Sequence, residues 1–283
     1  MRLLTFVHEN EQCWGAMTEK GIVRLGSASE GKYHSLRAAI EGGGLQAVAE
    51  RTDAARYRLD PAEISYLPVV PDPGKILCIG LNYDTHRVET GREKSGYPTV
   101  FTRFADTQAG HMQNLVVPRV SRELDYEGEL AVVIGKRGRY LAREAAMEHV
   151  AGYSCYNDAS VRDFQRHTSQ FTPGKNFPAT AGFGPYLVTP EEVGDVHDLR
   201  IRTILNDEVM QDSNTGFMIF DIPTLISYLS TFTELMPGDI IATGTPGGVG
   251  FKRDPQVFLK PGDEVVVDIE SIGKLVNPVT IEH

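Results

Sequence analysis

The sequence predicts a mostly β protein with short helices, an α+β fold in which a small N-terminal domain precedes a larger one. Three observations predict it. Short apolar runs with strand-like alternation recur along the chain, "ELAVVIG" and "LRIRTILND" being the clearest. Segments of helical composition are few and brief. In "LPVVPDPGKILCIG", Pro68, Pro71 and Pro73 form a stiff connector into a new strand and place a boundary near residue 70.

In chain order, residues 1 to 66 read as the strands "RLLTFV", "CWGAMT" and "GIVRLG" and a helical stretch broken at Gly42 to Gly44. Residues 1–70 are therefore expected to form a small α+β domain with its linker, and residues 71–283 the larger domain. Beyond the connector, "KILCIG" reads as a buried strand and "NYDTHRVE" as a short helix. "LAREAAMEHV" has helical composition, "GYSCYND" reads as a strand and "SVRDFQRH" as a helix. Asn206 and Asp207 end "LRIRTILND" as a hairpin turn, and "DIPTLISYLSTF" is a helix capped by Asp221 with Pro223 in its first turn. Two "PGD" turns precede the strands "IIATG" and "EVVVDI".

With 283 residues the chain can bury a sizeable core, and 38 acidic against 28 basic residues give a net charge of -10. No Lys or Arg block stands out, which argues against nucleic-acid and anionic-membrane partners but leaves room for a local basic pocket. The opening "MRLLTFVHEN" is too short an apolar run for a secretory signal, and no run suits a membrane helix, so a cytoplasmic location is expected. Cys13, Cys78 and Cys155 form no C-x-x-C pair and read as buried thiols in a reducing compartment.

"LDYEGELAVVIG", residues 124 to 135, carries the first chemical signal. As one strand it projects Asp125, Glu127 and Glu129 from one face and Leu130, Val132 and Ile134 from the other. Like charges in a row repel, so that face is either wet or covered by something positive. Gly128 between the glutamates marks a close approach of ligand or backbone. Glu127 and Glu129, about 7 Å apart along a strand, with Asp158 from the next strand, offer three carboxylates to a hard cation. With no His or Cys among them, that is a Mg²⁺ or Mn²⁺ site and not a zinc site. The plainer alternatives are a solvated strand face and, for Asp158, a helix N-cap before "ASVRD".

His86 and Glu89 lie three apart, so a helix brings them together as an imidazole and the carboxylate that orients it, or as an ordinary surface pair. Lys175 sits in "FTPGKNFP", and Arg162, Asp163 and Gln165 fall in "VRDFQRH", where plain solvent exposure is equally open. The glycine-rich "TGTPGGVGF" lacks the Lys-Ser/Thr of a phosphate loop, and its backbone and Thr245 are expected to approach a bound anion. No G-x-S-x-G elbow supports a covalent nucleophile.

Taken in order, "GLNYDTHRVE", "DYEGELAVVIGK", "GYSCYNDASVRDFQ", "GKNF…GFGPYLVT", "LNDEVMQ" and "GDIIATGTPGGVGF…KPGDEVVVDIESIGKLVNPV" resemble the fumarylacetoacetate hydrolase superfamily across residues 75 to 280. The likeness is to its bacterial hydrolase and 2-hydroxyhepta-2,4-diene-1,7-dioate isomerase members. The resemblance implies a rolled, mixed β-sandwich carrying a divalent metal, Mg²⁺ or Mn²⁺, and commonly a homodimer. It matches Glu127, Glu129 and Asp158 to the metal ligands, and His86 and Glu89 to a water-activating pair on a lid-like segment. It matches Lys175 to the active-site lysine, Gln165 and Thr245 to substrate contacts, and Arg162 and Asp163 to supporting positions. Many members read F-x-K-P where this chain reads "FTRF", so Arg103 stands for a substrate-binding lysine and presents a planar fork in place of a compact ammonium.

The function these residues imply is metal-dependent hydrolysis of a C–C bond in an acylpyruvate-like β-diketo acid, with His86 deprotonating water and the metal stabilising enolate charge. Decarboxylation of oxaloacetate, keto-enol tautomerisation and isomerisation of a hydroxy-dienedioate use the same capacity and stand as alternatives. A catalytically weak keto-acid-binding protein is the reading from another class.

Overall fold

The computed structural model of the chain describes residues 1–29 and 33–282. Two mixed sheets carry it. The larger has eleven strands, and its centre runs Ala181–Val188, Val150–Asn157, Gly128–Ile134, Ile240–Ala242, Ile76–Gly80. The smaller has five: Glu208–Asn214, Arg200–Leu205, Glu264–Ile269, Gly273–Ile281 and Leu115–Val117. Most pairs are antiparallel, but Ile240–Ala242 runs parallel to Ile76–Gly80. This is the α+β, mixed β-sandwich architecture expected.

The strand Gly128–Ile134 explains the layering. Leu130, Val132 and Ile134 enter a cluster with Ile201, Val267 and Leu275 of the smaller sheet and with Leu225 and Leu229 of the helix Ile222–Phe232. Ala131 and Val133 point the other way, into a cluster with Trp14, Leu36 and Ala39. Both faces of this strand are thus buried, which suits its unbroken apolar run.

The N-terminal strands Gly21–Ser27, Glu11–Thr18 and Arg2–His8 extend the larger sheet through the pairs Arg2↔Val188 and Leu3↔Leu187. Their helical stretch divides at the glycines into Leu36–Glu41, Gly44–Ala47 and Val48–Ala54. Among the described residues no helix is long and apolar enough to cross a membrane. The three cysteines are buried and form no disulfide among the described residues.

Local signals act as their chemistry requires. Asn206 and Asp207 take φ of 49° and 68°, the left-handed pair that a tight hairpin needs. In the two "PGD" turns, the Asp239 and Asp263 carboxylates accept from the Met236 and Lys260 N–H groups. "LAREAAMEHV" gives a 3₁₀ helix, Arg143–His149, and "SVRDFQRH" only the short helix Arg162–Gln165.

One element departs from expectation. "LDYEGELAVVIG" is not one strand: Leu124–Asp125 pairs with Ser160–Val161, and the larger sheet is joined only from Gly128. Between them the ladder is replaced by a side chain, because Glu127 N–H donates to Asn157 Oδ1 at 3.0 Å.

The Asp221 carboxylate accepts from Thr224 N–H at 3.0 Å as the N-cap of Ile222–Phe232. Asp221→Ala should cost about 1 kcal/mol and lower Tm by roughly 2–4 °C in thermal unfolding. An unchanged Tm would mean that the helix is held by its packing alone.

Candidate metal and active site

Register brings the carboxylates together. Gly128 pairs with Asn157, so Glu127 stands beside Asp158, and Asp158 N–H donates to Glu127 O at 2.9 Å. Glu129 follows two residues on. Oxygens of Glu127, Glu129 and Asp158 all lie within 4.8 Å of one another, and all three residues are buried. Asp158 is no helix cap: the Arg162–Gln165 helix starts at Val161 without a side-chain cap.

The acidic face is not wet. Lys175 Nζ donates to Glu127 Oε2 and to Asp158 Oδ2, each at 2.5 Å. Arg162 Nη2 lies 2.7 Å from Glu127 Oε1 and 2.8 Å from Asp125 Oδ2. Arg103 donates through Nε to Asp158 Oδ1 and through Nη2 to the Ala159 carbonyl. Asp125, Glu127, Glu129 and Asp158 are therefore four buried carboxylates set against the three buried cations Arg103, Arg162 and Lys175.

Glu129 is left over. Among the described residues no cation pairs with it, and its hydrogen bond comes from Gly244 N–H at 2.9 Å. Burial, with Asp158 and Glu127 alongside, pushes Glu129 well above the usual carboxylate range. Glu127 goes the other way: burial raises it, but Arg162, Lys175 and His86 together hold it well below that range. A triad of oxygen donors with one uncompensated charge fits a hard divalent cation.

The glycine-rich loop holds anions, but they are the chain's own. Gly244 N–H goes to Glu129, Gly248 N–H to Glu89 Oε2 at 2.8 Å, and Gly250 and Phe251 N–H to Asp125 at 2.8 and 3.1 Å. Gly247 N–H donates to Thr85 Oγ1 at 3.0 Å. These five donors are therefore engaged within the chain, while Thr245, on the same loop, lines the cavity described below.

Gly128 likewise admits protein, not ligand. A Cβ there would lie 2.1 Å from Thr203 Oγ1. Beside it Gln211, which drew no role from the sequence, uses its whole amide. Its Oε1 accepts from Gly128 N–H at 3.0 Å and Thr203 Oγ1 at 2.6 Å, while Nε2 donates to Thr245 Oγ1 and Pro246 O, both at 2.8 Å. The one available hint was the placement of "LNDEVMQ" among the matching segments.

A cavity of about 380 Å³ opens over the triad, walled in part by His86, Lys175, Gln165 and Thr245. His86 Nδ1 lies 2.7 Å from Glu89 Oε1 on the helix Asp84–Glu89, which leaves Nε2 for proton exchange in the cavity. Gln165 Oε1 accepts from Arg162 Nη1 at 3.0 Å, and its amide NH₂ has no partner among the described residues. The Thr245 hydroxyl is occupied, donating to Gly128 O at 2.9 Å and accepting from Gln211. Arg103 is absent from the cavity wall. Its guanidinium braces Asp158 from behind, so the geometry gives it a supporting place where a substrate contact was expected.

Gly128→Ala should displace Glu127 and Glu129 and destabilise the protein by about 1–3 kcal/mol, and Gln211→Leu should do so by a similar amount through unpaired buried groups. Urea unfolding and calorimetric Mn²⁺ titration measure both effects. Wild-type stability and affinity in Gly128→Ala would show that the close approach is dispensable.

Residues 75–280 match the family description "Fumarylacetoacetate (FAA) hydrolase C-terminal". The chain is 44% identical over 242 residues to the mitochondrial oxaloacetate tautomerase FAHD2A of Bos taurus, covering 84% of this chain and 77% of that one. Among solved structures it is similar to fumarylacetoacetate hydrolase from Exiguobacterium antarcticum, at TM-score 0.88, 33% identity and full coverage of both chains. It is also similar to maleylpyruvate hydrolase from Sphingobium sp. SYK-6 in complex with manganese(II) and pyruvate, at TM-score 0.84, 28% identity and full coverage of both. With the fold, the segment order and these relatives in agreement, the chain belongs to the fumarylacetoacetate hydrolase family.

Proposed function

We propose that the protein is a divalent-metal-dependent keto-enol tautomerase acting on oxaloacetate or a closely related 2-oxo diacid. The observation that carries this reading is the placing of His86, held by Glu89, on the wall of the cavity that opens over the carboxylate triad. A proton mover and a charge-stabilising site then face one small molecule.

Tautomerisation breaks one C–H bond and forms one O–H bond, with nothing gained or lost. His86 Nε2 takes the proton from the carbon next to the 2-oxo group. The imidazolium so formed, supported by Glu89 through Nδ1, gives a proton to the enolate oxygen; the enol-to-keto direction reverses both transfers. Lys175, in the same wall, holds Glu127 and Asp158 in place through its three N–H donors. A Mg²⁺ or Mn²⁺ held by Glu127, Glu129 and Asp158 would supply Lewis-acid polarisation of the 2-oxo oxygen.

Hydrolysis of an acylpyruvate, the first expectation from the sequence, is the second reading, favoured by the hydrolases among the structural relatives. It asks more of the site. Water attack creates a tetrahedral oxyanion that needs preorganised donors. The N–H groups of Gly244, Gly247, Gly248, Gly250 and Phe251 and the Thr245 hydroxyl are engaged by Glu129, Thr85, Glu89, Asp125 and Gly128. The relative at 44% identity is, by name, an oxaloacetate tautomerase.

Ultraviolet-monitored loss of enol oxaloacetate should run well above the spontaneous rate with Mg²⁺ or Mn²⁺ and return to it with EDTA. His86→Ala should keep calorimetric Mn²⁺ binding and lose roughly 10²–10⁴-fold in kcat, whereas Glu129→Ala should lose Mn²⁺ binding itself. Metal-dependent release of acetate and pyruvate from acetylpyruvate, without enol conversion, would overturn the tautomerase reading in favour of the hydrolase.

A further inference from the structure

A 2-oxo diacid has two ends. Its 2-oxo acid end belongs with the triad at the cavity floor, so its second carboxylate must meet a cation elsewhere on the wall. The three buried cations are committed to the chain's own carboxylates. Nearer solvent the wall offers Arg92, Arg166 and Lys252. Arg166 is paired with Glu123 at 2.6 Å, and Lys252 Nζ lies over the Phe251 ring at 5.2 Å. The Arg92 side chain has no partner among the described residues.

The backbone of Arg92, in contrast, is firmly held. Its N–H donates to Arg87 O at 3.1 Å, and its carbonyl accepts from Arg87 Nη1 at 2.9 Å. Arg87 is in turn fixed by Asp84 Oδ1 at 2.9 Å, on the helix that carries His86. That helix is docked on the glycine loop through Thr85 and Glu89. An uncommitted guanidinium is thus presented from an anchored backbone. It borders a second cavity of about 240 Å³, which shares Gly80, Leu81 and Arg92 with the first and adds Arg87 and Lys94.

We propose that Arg92 is the specificity-determining residue for the substrate's distal carboxylate, selecting 2-oxo diacids over 2-oxo monoacids. The inference rests on the tautomerase reading and names the residue that recognises the second carboxylate of its substrate. A guanidinium offers a carboxylate two parallel N–H donors, a geometry an ammonium lacks. Longer diacids place their far carboxylate toward the second cavity, still beside Arg92.

The test compares enol conversion of oxaloacetate, a diacid, with that of phenylpyruvate, a monoacid, in wild type, Arg92→Gln and Arg92→Lys. For oxaloacetate, Arg92→Gln should raise KM roughly 10- to 100-fold, as expected for a lost charge-assisted contact. Its kcat should change by no more than about threefold. Phenylpyruvate kinetics should stay near wild type, and Arg92→Lys should recover part of the loss. Calorimetric binding of malate against lactate to the Mn²⁺-loaded proteins gives a second readout without turnover, in which Arg92→Gln should lose the preference for malate. If wild type converts oxaloacetate and Arg92→Gln keeps the diacid preference in both assays, the role of Arg92 is overturned while the tautomerase reading stands. If wild type converts neither enol, the tautomerase reading falls, and calorimetry alone decides Arg92: a lost malate preference supports it, a retained one overturns it.

Discussion

Four carboxylates, Asp125, Glu127, Glu129 and Asp158, lie out of water within one small region, and the surrounding structure answers to that constraint. Burying an ionised group costs several kcal/mol unless it is paired and hydrogen-bonded. Arg162 spans Asp125 and Glu127, Lys175 spans Glu127 and Asp158, and Arg103 closes Asp158. Phe251 and Phe101 cover two of these cations, Arg162 at 4.2 Å and Lys175 at 4.9 Å from the ring centroids. The compensation stops one charge short, at Glu129. That shortfall is what a divalent cation held by the triad would offset.

The pairing works only if backbone donors finish it, and this accounts for the glycine-rich loop. A carboxylate accepts several hydrogen bonds, and backbone N–H groups supply them without further charge. Gly244, Gly248 and Gly250 each give one to a different acid. Gly244 and Gly248 take φ of 103° and 101°, where residues with a Cβ are strained. At Gly250 a Cβ would meet Val257 O at 1.9 Å, so the need there is close approach. Gln211, from the smaller sheet, then ties this loop to Gly128 between the two glutamates.

Much of the framework was legible because it depends on local periodicity. Alternation placed Leu130, Val132 and Ile134 on one face and the glutamates on the other, and Asn206-Asp207 and Asp221 announced a turn and a cap. The order of short segments carried the family. What stayed hidden depends on partners distant in sequence. Arg103 reads as a substrate contact until Asp158, 55 residues away, is found against it. Gln211 joins residues 83 and 34 positions away. The break at Tyr126 and Glu127 is equally invisible, because an asparagine side chain from another strand replaces the expected ladder bond.

The same loop also ties His86 and Glu89 to the carboxylate triad. Gly248 holds Glu89, Glu89 holds His86, and four residues earlier Gly244 holds Glu129. A shift of the loop therefore moves both parts together and preserves their spacing, the quantity on which proton transfer to a fixed substrate depends. The rim is less bound. Arg92, Arg166 and Lys252 are exposed, and none of their side chains pairs with the buried carboxylates of the floor. Relatives named as a tautomerase and as a hydrolase resemble this one chain, so the fold alone does not choose the reaction and the choice falls to individual residues of the site.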